Sequence, residues 1–532
     1  MTEPRGLQVT PAILLAALSI GTLCRAAEPA GDWPTWRYDA ARSAACPHRL
    51  ADTLHLQWVR RYPPTSPAWP DQNRLHFDTE YRPVVMGGTL FLGSPRADWV
   101  AAVDAETGRE RWRTYTGGPV RFAPAAADGR LYVASDDGRL YCLDAADGSV
   151  VWRRAMSPHA ARRVLGNKRL ISTWPVRGGP ALAGGRLYVA AGIWPWMGVF
   201  IRAVDPKTGE TIWCNSGSGS KLRGQPHCGE AFTGPAPQGY LAVVGDRVLV
   251  PNGRAVAACF DAGTGSLRHF RYGATRADGS YFVAAGRRYY FNRKVVFGVK
   301  TGTRFRRIPG TPVVGDGVLY SRDTAYDLAN AAPFRHTVAD RTQTGLRLPR
   351  LWQLPDAGIG RVWIKTADKL YASCGREHVE FKFPKPGGKP SACWRAEIDG
   401  EAGSVLAGAG RLFVVTDDGS LYAYGAEQRT AKIYPIPPAV GPKWDRWARR
   451  AAEIVEATGR RAGYALVLGV ESGRLVEELA RQTRLHVIGI AGPGVRVDKV
   501  RRRLDRPGST APGRPFSRAT DVHPSSPTIW PS

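Results

Sequence analysis

Four aspartates, Asp104, Asp144, Asp205 and Asp261, each stand four residues before a glycine: Gly108, Gly148, Gly209 and Gly265. A carboxylate beside a glycine turn is a common setting for a general base or a metal ligand. Repetition argues for another use, because a reacting group is needed once and a turn is needed once per structural unit. A tryptophan follows four residues after the glycine in three copies, as Trp112, Trp152 and Trp213, while His269 takes that place in the fourth. The carboxylate is expected to fold onto the amides of its own turn, the glycine to accept positive φ, and the indole to wedge between neighbouring sheets. No catalytic residue is assigned among them.

His227-Cys228-Gly229-Glu230 is the other polar cluster with metal-binding residue types. One such run is a weak signal, and a solvated loop with a disulfide explains it as well. The sequence holds eight cysteines and no Cys-x-x-Cys, so no metal site is assigned. Cys214 with Cys228, or Cys374 with Cys393, lie near enough along the chain to pair, whereas Cys142 reads as a buried apolar residue. The run Arg287-Arg288-Tyr289-Tyr290-Phe291-Asn292-Arg293-Lys294 has the composition of a nucleic-acid stacking surface. Its alternation fits a strand with a basic outer face better. Net charge is +28, but the arginines are spread along the whole chain with no dominant stripe, so nucleic acid is not an expected partner.

These residues need a scaffold of short strands. Gly129 to Trp152 contains three alternating runs separated by Asp-Asp-Gly and Ala-Asp-Gly, the pattern of antiparallel strands joined by tight turns. Strand openings recur at Thr89, Arg130, Arg186, Arg247, Arg287, Val318, Lys369 and Arg411, which predicts an all-β chain of four-stranded units, eight in number. The fifth to seventh units are worn, since Val299-Lys300-Thr301-Gly302 lacks the aspartate and Tyr326-Asp327-Leu328 lacks Thr-Gly, so seven remains open. The last unit stops at Gly425 without a closing strand. Leu54-His55-Leu56-Gln57-Trp58 alternates, ends in tryptophan and has no local partner, so it is expected to complete that unit and close a ring. Insertions follow Trp152 and Trp213 and separate Asp327 from Trp352; all are expected to project from one end, where a protein or small-molecule ligand would bind.

The Ala-x-Asp-x-x-Thr-Gly-x-x-x-Trp copies resemble the tryptophan-docking repeats of the quinoprotein, or PQQ-like, β-propeller family, over roughly residues 50 to 425. That family includes non-catalytic scaffolds as well as dehydrogenases. The aromatic stretch Asp32-Trp33-Pro34-Thr35-Trp36-Arg37-Tyr38-Asp39 resembles the segment that crosses one end of such rings. For a catalytic member the resemblance implies PQQ with Ca²⁺, an aspartate base, a tryptophan floor and often adjacent cysteines. This sequence has no Cys-Cys pair, and no segment sets Glu, Asn and Asp ligands in the family's context. A quinone site is therefore not supported, and the expected function is a non-catalytic binding or assembly scaffold. A PQQ-dependent dehydrogenase is the alternative.

Beyond Tyr434-Pro435-Ile436-Pro437-Pro438 the period changes. Trp444 to Thr458 and Arg474 to Arg481 read as helices, Tyr464 to Leu468 as a buried strand and Leu485 to Ile490 as a second strand. With Leu468-Gly469-Val470-Glu471-Ser472-Gly473 at the first turn, this β-α-β resembles the opening of a class I S-adenosylmethionine-dependent methyltransferase, a Rossmann-like fold. Gly469, Glu471 and Gly473 would then lie at the cofactor loop. Glu471 replaces a small residue, and Ala491-Gly492 stands where an acid normally meets the ribose, so an active methyltransferase is not expected; S-adenosylmethionine-binding, methyltransferase-like activity of a fuller C-terminal domain is the second alternative.

The organisation expected is a signal peptide over residues 1–26, a propeller over 32–430 with its closing strand at 54–58, a Pro-rich linker over 431–442, a partial Rossmann-like segment over 443–505 and a disordered tail over 506–532. Arg5 followed by the short apolar run Pro11 to Leu23 and small residues at Ala26-Ala27 points to export, to the periplasm, envelope or outside, and that run is too short for a comfortable span.

Overall fold

The computed structural model describes residues 31–159, 162–224, 229–271, 278–338, 341–353, 360–374, 377–382, 391–438, 444–492, 495, 497–505 and 520–521. The export signal and most of the expected tail lie outside them.

The chain is mostly β-structure, built from successive four-stranded antiparallel meanders. The first sheet runs Val84–Met86, Thr89–Gly93, Trp99–Asp104 and Glu110–Tyr115, and the second runs Ala125–Ala127, Arg130–Ala134, Arg139–Asp144 and Val150–Ala155. Further sheets begin at Gly178–Ala183, Ala242–Val244, Val283–Ala285, Val313–Gly315, Arg361–Lys365 and Ala402–Gly408. Each first strand packs on the next, and the last packs on Val84–Met86, so the first strands form a closed cycle. Alternate residues of the inner strands face neighbouring sheets, and burying both faces is what stabilises units too small to fold alone.

His55–Arg61 completes the last sheet, antiparallel to Ser420–Gly425 with Trp58 opposite Ala423, as the alternation of Leu54 to Trp58 predicts. Lys432–Tyr434 adds a further strand parallel to His55–Arg61. The stretch expected to be only a stiff linker is thus partly tied to the ring, because His55–Arg61 would otherwise leave its outer backbone groups unpaired.

Three other expectations need correction. The insertion between Asp327 and Arg350 joins the third and fourth strands of its sheet, as the hairpin Ala332–Val338 with Arg341–Arg347, so it lies at the opposite end from the sheet-to-sheet connectors after Trp152 and Trp213. Tyr289, Tyr290 and Phe291 are buried on both faces of their strand, and the neighbouring Arg287, Arg288 and Lys294 are exposed at its ends, so no basic outer face exists. Cys374 and Cys393 lie in strands separated by Glu377–Lys382, whose register puts Cys374 opposite Glu377 and Glu377 opposite Glu397. Two strand spacings of about 4.8 Å already exceed disulfide reach. Cys228 lies outside the described residues.

The C-terminal segment pairs Ala462–Leu468 in parallel with Arg484–Ala491, and Thr520–Asp521 pairs in parallel beyond. Helix α1 spans Arg446–Thr458, α2 Arg474–Gln482 and α3 Val497–Leu504; the last has no counterpart in the sequence expectations. Asp445 caps α1 by accepting from the Trp447 and Ala448 amides, at 3.0 and 3.1 Å, and Gly459 ends it in the left-handed region. The helices cover one face of the sheet through Val455, Val476, Leu479, Val487 and Val500. The other face is open, with Tyr464, Leu466 and Leu468 exposed, so the strand read as buried is buried on one side only.

Candidate functional site

The repeat residues assemble into joints between sheets. Asp104 accepts from the Thr107 amide and hydroxyl, both at 2.7 Å; Asp205 accepts from the Lys207 and Thr208 amides, and Asp261 from those of Gly263 and Thr264. Asp144 does the same with the Ala146 amide. Each carboxylate is spent on its own turn. The glycines carry φ of +74, +73, +72 and +73° at 108, 148, 209 and 265.

The indoles then dock from sheet to sheet. Trp58 Nε1 donates to Ala105 O at 3.1 Å, Trp112 to Ala145 O at 3.0 Å, Trp152 to Pro206 O at 3.2 Å and Trp213 to Ala262 O at 3.0 Å. Each ring lies on the glycine of the turn it meets: Trp58 on Gly108, Trp112 on Gly148, Trp152 on Gly209 and Trp213 on Gly265. His269 keeps the geometry in the worn copy, with Nε2 2.9 Å from Val299 O and its ring on Gly302. Trp394 donates to Leu54 O at 2.8 Å, across the point where the two chain ends meet.

Residues 31–48 form a strap that visits the sheets around the cycle. Ala409 N donates to Gly31 O, Trp33 exchanges two bonds with Val85, and Ala126 N donates to Pro34 O. Val243 N donates to Ala40 O, Ala285 N to Ala41 O, Val314 N to Ser43 O and Lys365 N to Ala44 O, all at 2.8 or 2.9 Å. Arg42 supplies the missing contact through its side chain, giving Nη2 to Pro180 O and Nε to Leu241 O, each at 2.8 Å. Arg37, Tyr38, Arg42 and Ala44 take positive φ, a conformation these residues hold only where surrounding bonds over-determine it.

Against the strap, aromatic rings from four segments pack on one another. Trp36 stacks on Tyr240 at 4.0 Å, Tyr240 meets Phe122 edge-on at 5.0 Å, and Phe122 stacks on Phe77 at 5.0 Å. Arg82 lies 5.1 to 5.2 Å from the rings of Trp36, Tyr240 and Tyr281 and pairs with Glu80. Beside them Asp136 accepts from Arg177 at 3.0 and 2.8 Å and from Arg121 at 2.5 Å, and Arg121 also binds Asp78. Burial pushes Asp136 up, but Arg177 and Arg121 outweigh it and hold the carboxyl at about 2; at Asp78 burial wins and the shift is upward.

A recess lies near the axis; its enclosed part holds about 20 Å³, and it widens to about 400 Å³ when the solvent-open mouth is counted. Arg37, Arg361, Glu80, Tyr281, Trp36 and Trp363 line it. Burial, then the like charge of Arg361, brings Arg37 down to about 9, still protonated near neutrality. None of these arginines was singled out by the sequence expectations, because their charges were read as part of a diffuse excess. Arg37 and Arg42 within the aromatic opening segment were the available signal.

These residues do not fit a quinone with Ca²⁺. The recess has Glu80 as its one carboxylate, already paired with Arg82, and no three of His, Cys, Asp and Glu converge among the described residues. In the C-terminal segment Gly469 and Gly473 both take positive φ, Gly473 precedes α2, and Glu471 is exposed. A methyl on Gly473 would sit 2.6 Å from Val500, so α3 packs against this loop. His227 lies outside the described residues.

Sheets closed into a ring and joined by docked indoles over Asp-Gly turns have the build of a β-propeller and resemble PQQ-like repeats. Residues 25–173 match the family model described as outer membrane protein assembly factor BamB. The chain is 28% identical over 169 residues to a tetrathionate hydrolase of Acidithiobacillus ferrooxidans, covering 30% of each chain. It is 30% identical over 148 residues to the dehydrogenase subunit of a quinone alcohol dehydrogenase of Gluconacetobacter polyoxogenes, covering 25% of this chain and 19% of that one. The match therefore spans less than a third of these relatives' length. Among solved structures, a quinohemoprotein alcohol dehydrogenase from Pseudomonas putida HK5 aligns over 80% of this chain and 85% of its own, at 13% identity and a TM-score of 0.48.

Proposed function

We propose that the chain is an exported, eight-bladed PQQ-like propeller that serves as a binding or assembly platform and performs no quinone chemistry at its axis. The observation that carries this reading is the recess itself, whose one carboxylate, Glu80, is already paired with Arg82, beside a packed core of Trp36, Phe77, Phe122 and Tyr240. The connector end of the second and third sheets is the proposed contact face. It presents Leu165, Trp196, Leu222 and Phe232, each exposed, on its hairpins and turns, and exposed apolar groups at a sheet's connector end suit protein contacts. The likeness to the BamB family description favours an assembly role.

A PQQ-dependent dehydrogenase is the second reading, favoured by the likeness to quinone alcohol dehydrogenases. Purified protein incubated with PQQ and Ca²⁺ separates the two. The platform reading expects no saturable PQQ binding and no dye reduction with alcohols or sugars; either result in the positive overturns it.

We read residues 443–505 as a partial Rossmann-like segment and residues 1–26 as a cleaved signal. The left-handed glycines 469 and 473 support a loop of the S-adenosylmethionine-binding kind, while the packing of Val500 against it opposes cofactor entry. Calorimetry with S-adenosylmethionine is expected to show no heat. Intact mass of protein recovered from the cell envelope is expected to lack the first 26 residues or so; full-length mass overturns export by cleavage.

A further inference from the structure

The recess between Arg37 and Arg361 has an excess of positive charge that the protein itself leaves uncompensated. Arg82 is paired with Glu80. Arg42 spends its donors on the carbonyls of Leu241, Trp36 and Pro180 and on the Thr35 hydroxyl, and Arg37 spends its own on the carbonyls of Arg42 and Pro312. Asp39, the nearest further carboxylate on the strap, accepts from the Ser43 amide and hydroxyl. The guanidinium carbon of Arg361 lies over the Trp363 ring, 3.6 Å from its centroid, and its buried Nε has no hydrogen-bond partner.

Two guanidinium groups, those of Arg37 and Arg361, thus line the recess without an ion-paired carboxylate. Burying a charge costs several kcal/mol unless an opposite charge or full hydrogen bonding offsets it. The Trp363 ring holds Arg361 in place while its Nε is left without a partner. A planar fork presented edge-on is the geometry that receives a carboxylate or an oxyanion.

We propose that the axial recess binds a small anion, a monocarboxylate or a tetrahedral oxyanion, held by the edge of Arg361 and the charge of Arg37. The proposal rests on the platform reading above and supplies the class of small ligand for its axis. Trp363 and Trp36 wall the site, and Ser404 offers a hydroxyl beside it. Glu80 sets the size limit, because a larger polyanion would be pressed against its carboxylate.

Calorimetry and thermal shift with acetate, sulfate and phosphate, against chloride at matched ionic strength, test it. Saturable one-to-one binding of at least one of these probes is expected, with affinity about tenfold or more weaker in Arg361→Gln and partly retained in Arg361→Lys. Absence of saturable binding overturns the proposal, and so does binding unchanged in Arg361→Gln, which would mark an adventitious ion only. If Arg361→Gln does not fold, Arg361→Lys decides, since it must weaken binding without abolishing it. PQQ added to the anion-loaded protein distinguishes the two readings: PQQ binding with dye reduction sinks the platform, whereas no binding of any anion sinks only this site.

Discussion

The indole of Trp58 lies on the backbone of Gly108, so close that a methyl group on that glycine would sit 2.6 Å from the ring, while Trp58 Nε1 reaches the Ala105 carbonyl. This joint differs from the others in one respect: Trp58 comes from the start of the chain but belongs to the last sheet, so it ties the last sheet to the first.

Gly108→Ala is accordingly expected to cost about 2–4 kcal/mol, combining a left-handed backbone with a clash against an indole. Trp58→Ala should cost about as much by leaving a cavity at the seam. The two changes share one joint, so the double variant should fall well short of their sum in thermal or denaturant unfolding. Simple additivity would show that the ring and the glycine do not touch.

The worn joint can be repaired. His269 already bonds the Val299 carbonyl and lies on Gly302, so His269→Trp should add apolar contact at an existing seat. A gain of about 0.5–1.5 kcal/mol is expected, visible as a raised melting temperature. A lowered one would mean the seat is cut to imidazole size.

His378 gives the stability a pH dependence. Burial pushes its pKa down to about 4, and its Nε2 has no partner. The unfolded chain takes up the proton near pH 6.5, so this contribution is complete above that value and is lost as pH falls from about 6.5 to 4. Roughly 3 kcal/mol is at stake. Melting temperatures at pH 7 and 4.5 should converge in His378→Asn; an unchanged difference would assign the effect elsewhere.

Asp136 holds two buried guanidinium groups, those of Arg121 and Arg177. Asp136→Asn should therefore destabilise by about 3–5 kcal/mol, because it leaves buried positive charge without its counter-charge. Limited proteolysis should then cut the connector of residues 62–83, which Asp78 ties to Arg121. Intact resistance would show that Asp78 alone suffices.

The joints were readable in the sequence because they repeat. Asp104, Gly108 and Trp112 announce a turn and its wedge through spacing alone, and the lone strand ending in Trp58 could be matched to the sheet that lacked one. The axis was not readable in the same way. Arg37, Arg82, Arg121, Arg177 and Arg361 come from separate segments, and their meeting depends on the curvature of the whole ring, which no local period encodes. Tyr464, Leu466 and Leu468 misled for a related reason: an apolar run reports what a strand prefers to bury, and not whether a neighbour is there to bury it. Helix α3 lay within the expected Rossmann-like segment but was not read as a helix, because Arg501, Arg502 and Arg503 break its apolar face, although Arg501 is buried and donates to Thr116 O at 2.8 Å.

The strap has a consequence for biogenesis. The segment made early, residues 31–48, finds its seats on strands as late in the chain as Lys365 and Ala409, so it stays unsatisfied through nearly the whole of synthesis. Every intermediate length of polypeptide is an open stack with raw edges at both ends, of the kind that sticks to its own copies. A factor that shields nascent chains would therefore act on this protein until Gly425 has emerged and can pair with His55, and its dependence on such help should end at that length.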